Sequence, residues 1–281
     1  MNSIDLHTHT TFSDGSFSPA ALVELAHHKG LNILAITDHD TTEGFTEAFE
    51  AAKALPLELI PGIELSTEFE GRETHILGYF IDLSNLQFQT RLERLRVTRF
   101  DRLQHILDRL HTLDVDISLA EVQQIAGSGT LGRPHIARML IEKGYVNGMK
   151  EAFERFLGAR GAAYVRRVVP EAAEIITWIT EAGGIPILAH PYWEGLNADE
   201  TVASCQRLVE QGLRGLEVFY GAFSPRQISL NLHLARQFGL LITGGSDFHG
   251  TFKPDISLGT GRGALKVPAK VIEYLREAAG R

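Results

Sequence analysis

The chain has 281 residues, 44% apolar and 22% charged, an ordinary composition for a globular protein able to bury a full core. Its formal net charge of −8 argues against sequence-tolerant binding of long duplex nucleic acid, and no apolar run approaches the ~18 residues that span a bilayer. A single cysteine, Cys205, excludes an intrachain disulfide framework. It sits in a helical setting with no activating neighbour and reads as inert packing. The start, Met-Asn-Ser-Ile-Asp-Leu-His, lacks the basic and apolar pattern of a signal peptide. A cytoplasmic protein is expected, with no membrane or obligate protein partner and the monomer as the default state.

In chain order, short β-rich runs alternate with amphipathic helices, the pattern of a parallel α/β fold. The first strand is expected near 4–8 and carries His7 and His9, which share a face because strand residues two apart point the same way. Asp14 follows in a Phe-Ser-Asp-Gly loop. Ser18-Pro19 then opens a helix that stops at Gly30, with N-cap serine, N1 proline and C-terminal glycine in favoured places. A strand near 32–37 ends in Thr37-Asp38-His39-Asp40. The next, near 57–63, ends in Pro61-Gly62-Ile63-Glu64, and another near 74–80 brings in His75 at its start.

Between residues 84 and 165 the rhythm breaks. Leu92, Leu95, Arg99/Phe100, Leu103, Ile106/Leu107 and Leu110 recur at helical spacing, and no strand is evident. This reads as a helical cap inserted over a barrel mouth, splitting a barrel domain of residues 1–83 and 166–281. The insertion carries twelve Lys and Arg against nine Asp and Glu, a balance of +3 in an acidic chain. That contrast suits a small anionic substrate. Beyond it, Pro170 opens a helix ending at Gly183-Gly184, and a strand near 185–189 ends in Ala189-His190-Pro191. A strand near 215–220 follows, then a helix from Ser224-Pro225 to Gly239. The last strand, near 240–245, ends in Ser246-Asp247-Phe248-His249. Seven strands are one fewer than the usual eight-stranded barrel.

Parallel barrels carry their chemistry at the C-terminal ends of the strands. Those ends, with the following loops and His75, collect His7, His9, Asp14, His39, Glu64, His75, His190, Asp247 and His249, which include six of the twelve histidines. A catalytic zinc needs three protein ligands and an open position. Nine groups therefore imply two or three divalent ions. Imidazole mixed with carboxylate, and no thiolate, favours Mn²⁺, with Fe²⁺ or Zn²⁺ next. Asp38 and Asp40 flank His39 and read as supporting groups. His27, His28, His105, His111 and His233 lie in helical stretches and read as surface or core residues.

The segments Asp-Leu-His-Thr-His, Ile-Thr-Asp-His-Asp, Pro-Gly-Ile-Glu, Ala-His-Pro and Gly-Ser-Asp-Phe-His resemble the motifs of the polymerase and histidinol phosphatase (PHP) domain. The resemblance implies a distorted seven-stranded β/α barrel and a trinuclear centre. It puts His7, His9, Glu64 and Asp247 on one metal and Asp14, His39 and His249 on a second. A third is held by Glu64, His75 and His190. Within the insertion, Gly132-Arg133-Pro134-His135 and Gly158-Ala159-Arg160-Gly161 are similar to the cap of PHP phosphoesterases acting on nucleoside 3′,5′-bisphosphates, whose close relatives trim short RNA 5′→3′.

The expected enzyme is therefore a metal-dependent phosphoric monoester hydrolase that removes the 3′-phosphate of a nucleoside 3′,5′-bisphosphate, with 5′→3′ trimming of short 5′-phosphorylated RNA as a related activity. Two metals can lower the pKa of a shared water for in-line attack, so no Ser or Cys nucleophile is needed. Asp247 or His249 are expected to shuttle a proton to the leaving oxygen. Arg133, His135 and Arg160 are the expected grip on the second phosphate. Three alternatives compete. A histidinol-phosphate phosphatase would not need the arginines of the insertion. A binuclear amidohydrolase often carries a strand lysine, absent from all seven strand segments. A non-enzymatic PHP scaffold would not need a complete ligand set.

Overall fold

The computed structural model of the protein describes residues 3–127, 129–193 and 195–281. Its strands are β1 (Ile4–Asp5), β2 (Ile33–Ile36), β3 (Glu58–Phe69), β4 (Arg72–Tyr79), β5 (Ile185–Leu188), β6 (Gly215–Tyr220) and β7 (Leu241–Gly245). They form one seven-stranded sheet in chain order. The seam between β7 and β1 is bridged by Leu6 N–H donating to Gly244 O at 3.2 Å and Asp247 N–H to His7 O at 2.9 Å. A parallel bridge joins Thr8 to Phe248. The sheet is thus nearly closed into a barrel. Beyond Asp5 the ligand-bearing stretch runs between both neighbours, with Thr8 O accepting from Thr37 N–H at 2.9 Å on one side and Thr8 bridging to Phe248 on the other.

One expectation is corrected. Alternating strands and helices pointed to a parallel sheet, but β3–β4 and β4–β5 are antiparallel. The run read as ending at Glu64 continues to Phe69, turns at Glu70 and Gly71 with φ of +51° and +75°, and returns directly as β4. Two successive positive φ values are the geometry of a tight two-residue hairpin turn. The reversal has a functional consequence: the start of β4, not its end, reaches the barrel mouth. His75 therefore pairs with Ser66, close to the end where β2 delivers His39, which bridges to Glu64.

Helices α1 (Pro19–His28), α2 (Gly44–Ala52), α7 (Ala172–Glu181), α8 (Ala198–Glu210), α9 (Pro225–Phe238) and α10 (Lys270–Ala278) surround the barrel. Ser18 and Ser224 cap α1 and α9 by accepting from Ala21 N–H and Gln227 N–H, as their sequence signatures require. Gly239 closes α9 in the left-handed region at φ +63°. The remaining helices are α3 (Leu86–His111), α4 (Leu119–Ala126), α5 (Arg133–Glu142) and α6 (Met149–Ala152), the last continuing as a π-turn to Leu157. They share a second apolar core built from Leu103, Ile106, Leu110, Ile136, Leu140 and Leu157. The long α3 serves both cores: Phe88, Leu92 and Leu95 pack into the barrel, and the residues from Leu103 onward into the cap.

Candidate active site

Six of the seven strands, with the loops that follow them, bring nine imidazoles and carboxylates to one mouth. Glu64 lies at the centre. Its Oε2 is 3.3 Å from His7 Nε2 and 3.2 Å from both His9 Nε2 and His39 Nδ1, while its Oε1 is 2.9 Å from His75 Nδ1 and 2.8 Å from His190 Nε2. Asp247 Oδ1 lies 3.2 Å from His9 Nε2, and Asp14 Oδ1 lies 3.2 Å from His249 Nε2. Donor atoms converge in four overlapping groups: His9, Asp14, His39 and His249; His7, His9 and Asp247; His7, Glu64 and His190; and His39, Glu64 and His75. Two of these residues hold strained backbone, Asp247 at φ +59° and His190 at φ +29°. Such strain persists only where the surroundings over-determine it.

The supporting contacts fix which ring nitrogens face the centre. His7 Nδ1 donates to Glu217 Oε1 at 2.9 Å, which leaves Nε2 as the inward lone pair. His249 Nδ1 donates to the Asp247 carbonyl at 2.9 Å with the same result. Glu217 also accepts the His190 backbone N–H at 2.8 Å, so one buried carboxylate braces two sides of the cluster. Asp38 accepts from Thr10 N–H, Thr10 Oγ1 and Ser13 Oγ, fixing the loop between His9 and Asp14. Asp40 accepts from Ser66 and from Arg167. Both flanking aspartates are supports, in keeping with their reading from sequence.

The local field favours positive charge. Burial alone would raise the carboxyl of Glu64, yet His39, His7 and His75 hold it well below the usual range. Asp14 is held down against burial by His249 and His39, and Asp247 by Lys253, His249 and His7. His9 resists its own burial and is pushed up to about 9, mainly by Asp247 and Glu64. Within this cluster four buried atoms of ligand type, His7 Nε2, His9 Nε2, His39 Nδ1 and Asp14 Oδ1, have no hydrogen-bond partner among the described residues. Buried polar atoms without partners are costly. Divalent cations would satisfy all four, so the donor set fits a metal centre.

The PHP domain model matches residues 5–184. The chain belongs to the PHP domain family. Its relatives include a 5′-3′ exoribonuclease from Escherichia coli, 36% identical over 87% of this chain and 84% of that protein. A 3′,5′-nucleoside bisphosphate phosphatase from Chromobacterium violaceum is 29% identical over 89% of this chain and 88% of its own length. A phosphoribosyl 1,2-cyclic phosphate 1,2-diphosphodiesterase from Eggerthella lenta is 32% identical over 88% and 94%. Among solved structures, a protein from Bifidobacterium adolescentis described as a metal-dependent phosphoesterase superposes with a TM-score of 0.88 at 32% identity, covering 98% of this chain and 96% of that one. At this level the chain is a PHP-family phosphoesterase.

Against one side of the PHP centre, and beneath the cap, lies a cavity of about 110 Å³ that meets Asp14, His39 and His75. Arg99, Arg102, Arg133 and Arg167 line it. Arg133 Nη2 bonds Glu73 Oε1 at 3.2 Å, and its guanidinium stands over the Phe153 ring. Of the other two residues expected to grip phosphate, His135 is buried and its Nδ1 accepts from Gly132 N–H at 3.0 Å, the bond of a helix N-cap. Arg160 is exposed and lines none of the cavities described here. The geometry thus joins Arg133 to the centre and leaves Arg160 outside it.

Sequence reasoning missed Glu217, Lys253, Arg99, Arg102 and Arg167. Two signals were available: Glu217 is an acid inside the apolar run Gly-Leu-Glu-Val-Phe, and Arg99 and Arg102 fall in phase with the apolar stripe of α3. Lys253, which bonds Asp247 Oδ2 at 2.5 Å, lies in a loop with no pattern to mark it. No helix among the described residues is long and apolar enough to cross a membrane.

Proposed function

We propose that this PHP-family phosphoesterase hydrolyses the 3′-phosphate of nucleoside 3′,5′-bisphosphates to give a 5′-nucleotide and phosphate, and trims short 5′-phosphorylated RNA by breaking the same P–O3′ bond. One observation carries the reading: the ligand cluster shares a wall, Asp14, His39 and His75, with a cavity of surplus positive charge. Four arginines there stand against three carboxylates, and one of these, Asp14, belongs to the ligand cluster. Arg99 and Arg167 pair with Asp40, while Arg102 and Arg133 flank Glu73. The excess suits a phosphomonoester, which carries about −1.5 to −2 at neutral pH. Arg102 Nη2 is buried and bonds nothing among the described residues. Burial, and then the neighbouring Arg133, bring the Arg102 guanidinium down to about 10, and Glu73 offsets this only in part.

In the proposed centre His7, His9, Glu64 and Asp247 would hold one ion, Asp14, His39 and His249 a second, and Glu64, His75 and His190 a third, with Mn²⁺ preferred to Fe²⁺ or Zn²⁺. Bound divalent ions supply a nucleophile from water and offset charge on the phosphoryl oxygens. The protein's part is positioning. Arg102 and Arg133 grip the 5′-phosphate and so set the 3′ phosphorus against the cluster. Leu103, Ile106, Ile136 and Phe153 of the cap line the cavity and exclude bulk water. The proton released by the attacking water would be relayed by Asp247 or His249 to the departing O3′, and the oxygen of water ends on phosphorus.

Arg133→Ala tests the second phosphate site. kcat/KM for adenosine 3′,5′-bisphosphate should fall about 10- to 100-fold, as for loss of a charged hydrogen bond, while adenosine 3′-monophosphate, which lacks the gripped group, changes little. Equal effects on the two substrates, or none, would remove the arginine cavity from the account.

A further inference from the structure

The arginine cavity is not the only space that opens on the centre. A second, of about 410 Å³, meets it from the far side of His75 and His190, and Arg133 lines both. This cavity in turn shares Pro191, Tyr192, Trp193 and Leu196 with a third of about 590 Å³, which ends at Arg226 on α9. The three share walls in series, the smallest and the middle one through Glu73, His75 and Arg133, and the middle and the largest through Pro191, Tyr192, Trp193 and Leu196. A single nucleoside bisphosphate, anchored by its 5′-phosphate among the arginines, does not account for the far part.

The walls of the far part have the chemistry of a single-strand path. Tyr192 and Trp193 line both outer cavities, and behind Tyr192 a series of rings leads back to His190: Tyr192 to Phe223 at 6.4 Å, Phe223 to Tyr220 at 5.0 Å, and Tyr220 to His190 at 5.3 Å between centroids. Tyr192 is 63% exposed, so its ring is open to a stacking base. Trp193 is held in place by Nε1 donating to Asn231 Oδ1 at 2.8 Å. The two carboxylates on the near wall are already neutralised, Glu70 by Arg207 and Glu73 by Arg133. Arg226 is exposed and pairs with no carboxylate among the described residues. Aromatic faces with a backbone-seeking cation are the elements by which proteins hold single-stranded nucleic acid without reading its sequence.

Resting on the reading proposed above, we infer that this outer cleft is the path of the RNA strand 3′ of the scissile bond: nucleotides two and three stack along Tyr192 and Trp193, and Arg226 takes a backbone phosphate. The chemistry closes on itself. Water attacks the phosphorus that joins nucleotides one and two, the P–O3′ bond breaks, and O3′ of nucleotide one gains a proton. The remaining strand then begins with a new 5′-phosphate, the group that the arginine cavity grips, so the strand can advance by one nucleotide and react again.

The test compares adenosine 3′,5′-bisphosphate with 5′-phosphorylated di-, tri- and tetraribonucleotides, using the Mn²⁺-loaded wild type and the surface variants Tyr192→Ala and Arg226→Ala. In the wild type kcat/KM should rise from dimer to trimer and level off at the tetramer. Each variant should lose about tenfold on the trimer, the order that one stacked base or backbone contact is worth, and keep its rate on the bisphosphate. Rates independent of length, or variants that affect all substrates alike or none, would overturn the strand path. If the length dependence and variant losses appear but the bisphosphate is not hydrolysed, the strand path stands and the bisphosphate reading fails. If the bisphosphate alone is hydrolysed, the reverse holds. No turnover of any substrate would overturn both.

Discussion

Glu217 touches no reacting atom in this account, yet it braces the centre from two sides, accepting from His7 Nδ1 and from the His190 backbone N–H. A glutamine at this position keeps the shape but can present an acceptor to only one of those donors; the other then faces an N–H across a buried contact. Glu217→Gln should therefore weaken metal binding about 10- to 100-fold, the range typical of partners that orient ligating histidines. Competition with a fluorescent chelator would measure it, and an unchanged affinity would mean that His7 and His190 are held by packing alone. At this scale the ligand-type residues were legible in the sequence because strand period and strand-end position are local properties. Glu217, Arg99 and Arg102 were harder to see. Each sits among apolar neighbours, where a charged residue signals burial with a partner, but the partner is 210 residues away for Glu217 and His7, and 33 for Arg99 and Ser66.

Among the elements, the seam between β1 and β7 joins the two ends of the chain's ligand set. Gly245 makes this approach possible: a Cβ there would lie 2.4 Å from both the Cβ and the backbone N of His7. Neither atom is the flexible end of a side chain, so the strands themselves would have to separate. Gly245→Ala should cost at least the ~1–3 kcal/mol of an overpacked core site, seen as a lower Tm, together with a lower bound-metal stoichiometry measured on the purified protein. A variant with wild-type Tm and metal content would show that the seam is looser than the geometry indicates. Element existence followed from pattern, since each strand run and capped helix carries local signals. Direction did not. The one sign of a hairpin in residues 57–80 is the short stretch between the two runs, since a parallel crossover takes about a dozen residues or more, and the turn is made by Glu70 and Gly71 rather than by one of the common hairpin pairs. The antiparallel course of β4 nevertheless explains how His75, near the start of its strand, comes to the mouth.

For the whole molecule, acidity and function are reconciled by distribution. The net charge of −8 includes the carboxylates of the cluster, which bound cations would offset, while the cap is locally positive and helps supply the arginine cavity. α3 links the two parts physically, contributing to the barrel core at one end and the cap core at the other, with Arg99 and Arg102 between them over the centre. A substrate bridging the cavity and the cluster thus contacts both parts of the fold at once. The measurement closest to this claim is product analysis of adenosine 3′,5′-bisphosphate after incubation with Mn²⁺-loaded enzyme, resolved by HPLC against both monophosphates. The account predicts 5′-AMP and inorganic phosphate, with turnover lost on chelation and restored by Mn²⁺. Release of adenosine 3′-monophosphate, or no turnover by the metal-loaded protein, would contradict it.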